Sequence, residues 1–286
     1  ETPPFGARID YRLAGAAKQP VTLEILDDRG QLVRRYSSAD EAPKYAAAKA
    51  GTAPEWFTPP STLSTAPGLH RFIWPLRHAA LPALADGNAY ADGAWAPPGR
   101  YRLALTVDGQ TYQQPLTVAP DPRVNLAADA YPLQFAFARQ IEATQARLAT
   151  AQAQAQHLHG AIGAARKAPG DQADDSLRAL DDKIVAIAAI VDVPNPGNAG
   201  TMPPKSTHTF AFLEQALGKL ANAVDGADAA PSPDTRRGYE VVAPMVDETL
   251  ARWQAVLATD LPAVNAQRRV AGLPELASSP PTTKTP

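Results

Sequence analysis

Pro98-Gly99-Arg100-Tyr101-Arg102-Leu103-Ala104-Leu105-Thr106-Val107-Asp108-Gly109-Gln110-Thr111-Tyr112-Gln113-Gln114-Pro115-Leu116-Thr117-Val118, followed by Ala119-Pro120-Asp121-Pro122-Arg123, decides the fold. Pro98-Gly99 opens a strand that runs to Val107. Asp108-Gly109 is a two-residue hairpin turn, because both positions of such a turn need positive φ. Gln110 to Val118 then completes the pair. The two prolines after it hold the chain extended and stop the last strand. Beyond Arg123 the apolar residues change from a period of two to a helical period.

Upstream of this hairpin the chain reads as further strands with Pro and Gly punctuation. Ala7 to Leu13 alternates apolar and polar residues, and Val21 to Leu26 does the same. Asp27-Asp28-Arg29-Gly30 is a turn, and Gln31 to Tyr36 returns as its partner strand. Residues 38–67 show no clear period and read as a long loop over the strands, pinned by burial of Trp56 and Phe57. Leu69 to Leu76 is the next strand. Both of its parities carry apolar residues, so its faces stay unassigned. Residues 78–96 read as a second irregular insert. About six antiparallel, hairpin-linked strands in about 120 residues fit a β-sandwich.

Downstream, Phe137, Ile141, Thr144, Leu148, Ala151, Ala155, Leu158, Ile162 and Ala165 are spaced alternately four and three apart. That is the seam of a long helix, ended by Pro169-Gly170. Leu177 to Val191 predicts a second helix, Phe210 to Val224 a third and Tyr239 to Leu257 a fourth, with Pro194 to Pro204 as a loop. Pro244 is expected to kink the fourth helix or to delay its start. The expected architecture is two domains, all-β then all-α. An immunoglobulin- or fibronectin-like antiparallel β-sandwich spans 1–123, an antiparallel four-helix bundle spans 124–277, and 278–286 is a disordered tail.

Composition bounds the chemistry. The 286 residues carry a net charge of −2, which gives no electrostatic reason for nucleic-acid binding. The basic pairs Arg34-Arg35, Arg236-Arg237 and Arg268-Arg269 are isolated and read as solvated surface pairs. The absence of cysteine excludes disulfides, Cys-ligated zinc and thiol catalysis. No apolar run approaches the roughly 18 residues of a membrane span. Residue 1 is Glu and no signal peptide is present, so the chain is expected to begin after a cut.

His157 and His159 lie about 200° apart around a helix and cannot share a metal on one face. Asp27-Asp28 reads as a turn, Asp174-Asp175 as a helix start, and Asp181-Asp182 as part of a solvated helix face. No nucleophile elbow, phosphate-binding loop or dinucleotide glycine pattern is present. No catalytic, cofactor-binding or metal-ligating residue is therefore expected. Trp56, Phe57, Tyr90 and Trp95, on the irregular inserts, are the candidate ligand-contacting aromatics, as a platform for a glycan.

Gly68-Leu69-His70-Arg71-Phe72-Ile73-Trp74-Pro75-Leu76-Arg77 with Pro97-Pro98-Gly99-Arg100-Tyr101 resembles an Ig-like module of flagellar hook-capping type. The order of the whole chain is similar to the C-terminal region of bacterial BNR-repeat, sortilin-like β-propeller proteins, often labelled glycosyl hydrolases. Gly6 to Tyr11, Val21 to Asp27, Thr106 to Tyr112, Asp121-Pro122-Arg123, Leu250 to Trp253 and Asp260 to Asn265 carry this likeness. The chain departs from the pattern at Pro75, where an acidic residue is expected. The resemblance implies an exported protein, periplasmic or extracellular. It also implies a non-catalytic structural or interaction module that follows a β-propeller, with that propeller or another protein as partner. The alternative is an accessory module that binds carbohydrate or protein.

Overall fold

The computed structural model describes residues 5–42, 53–56, 59–127, 129–167, 175–190 and 208–279. The chain divides into two compact units, Glu1–Glu142 with Asp225–Pro231, and Ala143–Val224 with Ser232–Pro286. Antiparallel sheets fill the first and helices the second. No helix among the described residues is long and apolar enough to cross a membrane.

In the first unit β1 (Ala7–Leu13) pairs antiparallel with β4 (Gly68–Trp74). A four-stranded antiparallel sheet has the order β3 (Leu32–Ser37), β2 (Thr22–Leu26), β7 (Gly99–Val107) and β8 (Gln110–Val118). The two sheets share one core. It takes Tyr11 and Leu13 from β1, Leu23 and Ile25 from β2, Tyr36 from β3, Phe72 and Trp74 from β4, and Tyr101 from β7. The parity that the sequence leaves open in β4 is settled by this burial: Phe72 and Trp74 point in, and Leu69 and Arg71 point out. Across the outer face Arg71 grips Asp10 through two hydrogen bonds of 2.7 and 2.8 Å.

The two hairpins form as their turn residues require. Asp108 and Gly109 both adopt positive φ, 47° and 82°. The Asp108 carboxylate also accepts hydrogen bonds from the backbone N–H groups of Lys18 and Gln19, which ties the β1–β2 connection to this turn. In the β2–β3 turn Asp27 accepts from the N–H groups of Arg29 and Gln31, and Gly30 takes φ 77°.

Residues 78–96 are more ordered than expected. A short strand, β5 (Arg77–Ala79), pairs antiparallel with β6 (Asp92–Trp95), and the one-turn helix α1 (Pro82–Ala85) lies between them. Gly93 permits the pairing, because a Cβ there would stand 2.7 Å from the Ala79 carbonyl oxygen. The long loop is also held differently. Trp56 sits on a 3-10 turn (Pro54–Trp56) and is 75% exposed, so it does not pin the loop. Phe57 lies outside the described residues. Leu63 is buried in the core instead, and the Ser64 N–H donates to the Tyr11 hydroxyl at 2.6 Å.

The helices follow the heptad seam. In α2 (Ala130–Ala165), Ile141, Thr144, Leu148, Ala151, Ala155, Leu158 and Ile162 are all buried. The change of period at Asp121-Pro122 is not where the compact units divide. The start of α2, through Glu142, belongs to the first unit, as does the return segment Asp225–Pro231. The reason is local contact: Phe135 stacks on His78 at 4.8 Å, and Glu142 accepts from the Ala94 N–H.

The second unit also contains α3 (Asp175–Ala188), most of α4 (Phe210–Asp225), α5 (Pro233–Ala255) and α6 (Leu261–Val270). Pro244 neither delays α5 nor ends it. The helix starts at Pro233, capped by the Ser232 hydroxyl on the Thr235 N–H. Pro244 lies on its exposed side, where solvent can take the carbonyl that the ring leaves unbonded. A π turn (Val256–Asp260) joins α5 to α6 just before Pro262, which has no N–H for the ordinary helical bond. Trp253 is fully buried, edge-on to Phe210 at 6.1 Å, and its indole N–H donates to Gln154 at 3.0 Å. Asp181, expected on a solvated face, instead meets His159 Nδ1 at 2.6 Å.

Trp74 has no exposed surface, stacks edge-on with Tyr101 at 5.4 Å, and donates its indole N–H to the Arg77 carbonyl at 3.0 Å. Trp74→Ala is therefore expected to cost roughly 3–5 kcal/mol in urea denaturation of the first unit. A loss below about 1 kcal/mol would contradict this packing.

Candidate functional site

Arg34 is the functional signal that residue-by-residue reading missed. In a strand successive side chains point to opposite faces, so Arg34 and Arg35 face different ways. Arg35 is exposed and Arg34 is only 1% exposed. Its guanidinium donates through Nη1 to Asp92 at 2.5 Å and to the His78 carbonyl at 3.1 Å, and through Nη2 to the Ala89 carbonyl at 3.4 Å. Cζ stands 4.9 Å from the Tyr36 ring centroid. Arg34 Nε and the hydroxyls of Tyr36 and Tyr90 are buried and meet no hydrogen-bond partner among the described residues. The two tyrosine rings are 5.8 Å apart, and Tyr36 also packs on Phe72 at 4.7 Å.

These residues line a hollow of about 520 Å³, walled by Phe5, Pro59, Pro60, Phe72 and Pro75. Burial pushes the phenols of Tyr36 and Tyr90 above their ordinary value.

A second hollow of the same unit encloses about 430 Å³. Phe5, Trp95, Pro97, Pro120, Tyr131 and Phe135 are among its walls. Arg77 lies over the Trp95 ring, with Cζ 3.7 Å from its centroid, and Phe5 meets the same indole edge-on at 5.5 Å. The carboxylates around this hollow are each met by a donor. Arg77 donates to Asp225 at 2.7 Å, and the Tyr131 hydroxyl donates to Asp228 at 3.4 Å. The Arg123 guanidinium beside Asp121 holds its carboxyl down at about 2. These carboxylates anchor the wall, and the rings and prolines present an apolar surface for a group from outside.

The aromatics singled out from sequence fall in different places. Trp95 lines the second hollow, and Tyr90 lines the first, where it is part of the core. Trp56 lines neither hollow, and Phe57 lies outside the described residues. Sequence reading also passed over Glu142. Its carboxyl is raised by burial against the opposing pull of Arg139, which donates to it at 2.5 Å. No group of three His, Cys, Asp or Glu side chains among the described residues is placed to hold a metal ion.

His78 links this region to pH. Burial, aided by the Arg139 charge, lowers its pKa from the ordinary 6.5 to about 4. The folded form then binds fewer protons than the unfolded form between those values. Stability is complete above the unfolded pKa and falls as the pH drops toward the folded one. Glu142, with a raised carboxyl pKa, works in the opposite sense over the lower part of that window. Urea midpoints measured between pH 7 and pH 4.5 are expected to fall for the native chain and to fall less for His78→Gln. Equal slopes in the two proteins would contradict the burial of a neutral His78. No family model, no curated protein and no solved structure matches this chain, so its sites are read from their own geometry.

Proposed function

We propose that this chain is a non-catalytic interaction module. It is read as an immunoglobulin- or fibronectin-like β-sandwich followed by an antiparallel four-helix bundle. It stands C-terminal to a β-propeller in an exported bacterial protein and docks on that propeller or on another protein. The two antiparallel sheets with one shared aromatic core support the sandwich. The buried seam of α2 and the apolar stripes of α3, α4 and α5 support the bundle.

The observation that carries the docking role is the hollow lined by Trp95. A ring stacked beneath Arg77, with prolines and Phe135 around it, is the kind of surface that takes an apolar anchor from a partner. A second reading, a glycan-binding accessory module, is favoured by one feature: the indole of Trp56 is 75% exposed.

The docking role is tested by measuring binding of the purified chain to the polypeptide encoded upstream of Glu1. Saturable binding is expected, weakened at least tenfold by Trp95→Ala. Absence of binding, or equal binding by the variant, would overturn the role. Against aryl glycosides and polysaccharides no turnover is expected. Turnover abolished by changing a single carboxylate would make the chain an enzyme. Oligosaccharide binding that quenches indole fluorescence and disappears in Trp56→Ala would favour the glycan reading.

A further inference from the structure

We propose that β1 takes an added β-strand along its free edge, an extended segment of a partner protein that sets acidic residues beside Arg8 and Arg12 and apolar residues over Tyr112. The surface is separate from the Trp95 hollow and does not depend on the docking role. Its first support is the mismatch between the two sheets, in which β1 and β4 alone face a sheet of four strands. On β8 the side that faces the core, shared with Tyr101 of β7, carries Tyr112, Gln114, Leu116 and Val118. Leu116 and Val118 pack on the core, whereas Gln114 is exposed and Tyr112 is 53% exposed. This uncovered part of β8 lies on the β1 side. At one end of β8 the Asp108 carboxylate holds the N–H groups of Lys18 and Gln19, in the chain leaving β1. At the other end Val118 lines the same hollow as Phe5, in the chain entering β1.

The backbone says that the occupant is a strand. β3 lies beside β5, and β8 carries Pro115, which has no N–H to offer a further strand. On the far edge of β4 the Arg71 carbonyl accepts from the Ser61 hydroxyl at 3.4 Å, so it points away from β1. In an antiparallel pair, opposite residues turn their N–H and C=O groups either both inward or both outward. Asp10 stands opposite Arg71, so Arg8, Asp10 and Arg12 turn these groups to the free edge. Among the described residues no partner meets them there. An edge of seven residues in unbroken register, without proline, is a template for another strand. The side chains select its chemistry. Arg8 and Arg12 project from the outer face with Asp10, which Arg71 already holds, so these two cations favour carboxylates opposite them. A second copy of β1, antiparallel about Asp10, would set Arg8 against Arg12 and Asp10 against Asp10, and like charges in those places disfavour it. The alternate residues of the incoming strand face the core side and cover Tyr112, which calls for apolar side chains.

The test titrates the full chain by NMR with a capped peptide of sequence Thr-Val-Glu-Val-Thr-Val-Glu-Val-Thr. Saturable binding is expected, and at saturation the amides of Arg8, Asp10 and Arg12 should exchange with solvent at least tenfold more slowly. Two control peptides are each expected to bind at least tenfold more weakly. One carries lysine in place of both glutamates, and the other carries proline in place of the central threonine, which removes an N–H from the new ladder. In the double variant Arg8→Glu, Arg12→Glu, both on the exposed outer face, the preference should reverse toward the lysine peptide. Trp95→Ala should bind the first peptide as the native chain does. No saturable binding, binding without slower exchange of the three amides, or equal binding of either control peptide would overturn the proposal. An unchanged preference in the double variant would also overturn it. Loss of binding in Trp95→Ala would overturn it too, because the peptide would then occupy the Trp95 hollow.

Discussion

A guanidinium taken out of water is the constraint on which the first unit depends. The cost of burying a charge is several kcal/mol, and it is offset only when the charge is paired and its donors are used. Arg34 is paired with Asp92, and its two terminal nitrogens donate to partners that all lie in the segment from His78 to Asp92. A segment with two very short strands and a one-turn helix is thus fastened to β3 of the larger sheet. The same segment supplies Tyr90 and Asp92 to one hollow, and it ends at Trp95, which lines the other. One buried cation therefore fastens the segment that ends at Trp95.

The rest of the unit adds restraint around this attachment. Trp74 ends β4 and donates to the carbonyl of Arg77, the first residue of β5, so the segment is held at its start as well. Gly93 lets the two short strands close, and the Glu142 carboxylate receives the N–H of Ala94 beside it. Arg77 then reaches from the segment to the Gly93 carbonyl and to Asp225 while covering the Trp95 ring. The site arises from side-chain and backbone bonds that cross long sequence separations, with little regular secondary structure beneath it.

This explains what the sequence displayed and what it hid. Strands of five to nine residues with a two-residue turn, such as β7 and β8, show their period and their Asp108-Gly109 turn directly. The helices are legible because their apolar seam repeats over many turns. A strand of three or four residues is too short to show a period of two, so β5 and β6 read as irregular. Arg34 reads as a surface residue because composition assigns arginine to solvent. Only its parity with Tyr36 and its distant partner Asp92 reverse that. Tyr90 was legible as an aromatic on an insert, but its burial depends on Tyr36, far away in sequence. A change of period marks where secondary structure changes, whereas a compact unit is bounded by contacts, so α2 starts inside the β unit.

Arg34 and Asp92 hold the segment from Arg77 to Trp95 in place. Hydrogen exchange in Asp92→Asn tests it most directly, because the substitution keeps the shape of the side chain and leaves the buried guanidinium without its counter-charge. In Asp92→Asn the amides of Arg77–Ala79 and Asp92–Trp95 are expected to exchange at least tenfold faster than in the native chain. Amides of the Pro233–Ala255 helix, in the other unit, should keep their native rates. Native protection throughout the segment in Asp92→Asn would mean that the Arg34–Asp92 pair does not hold it.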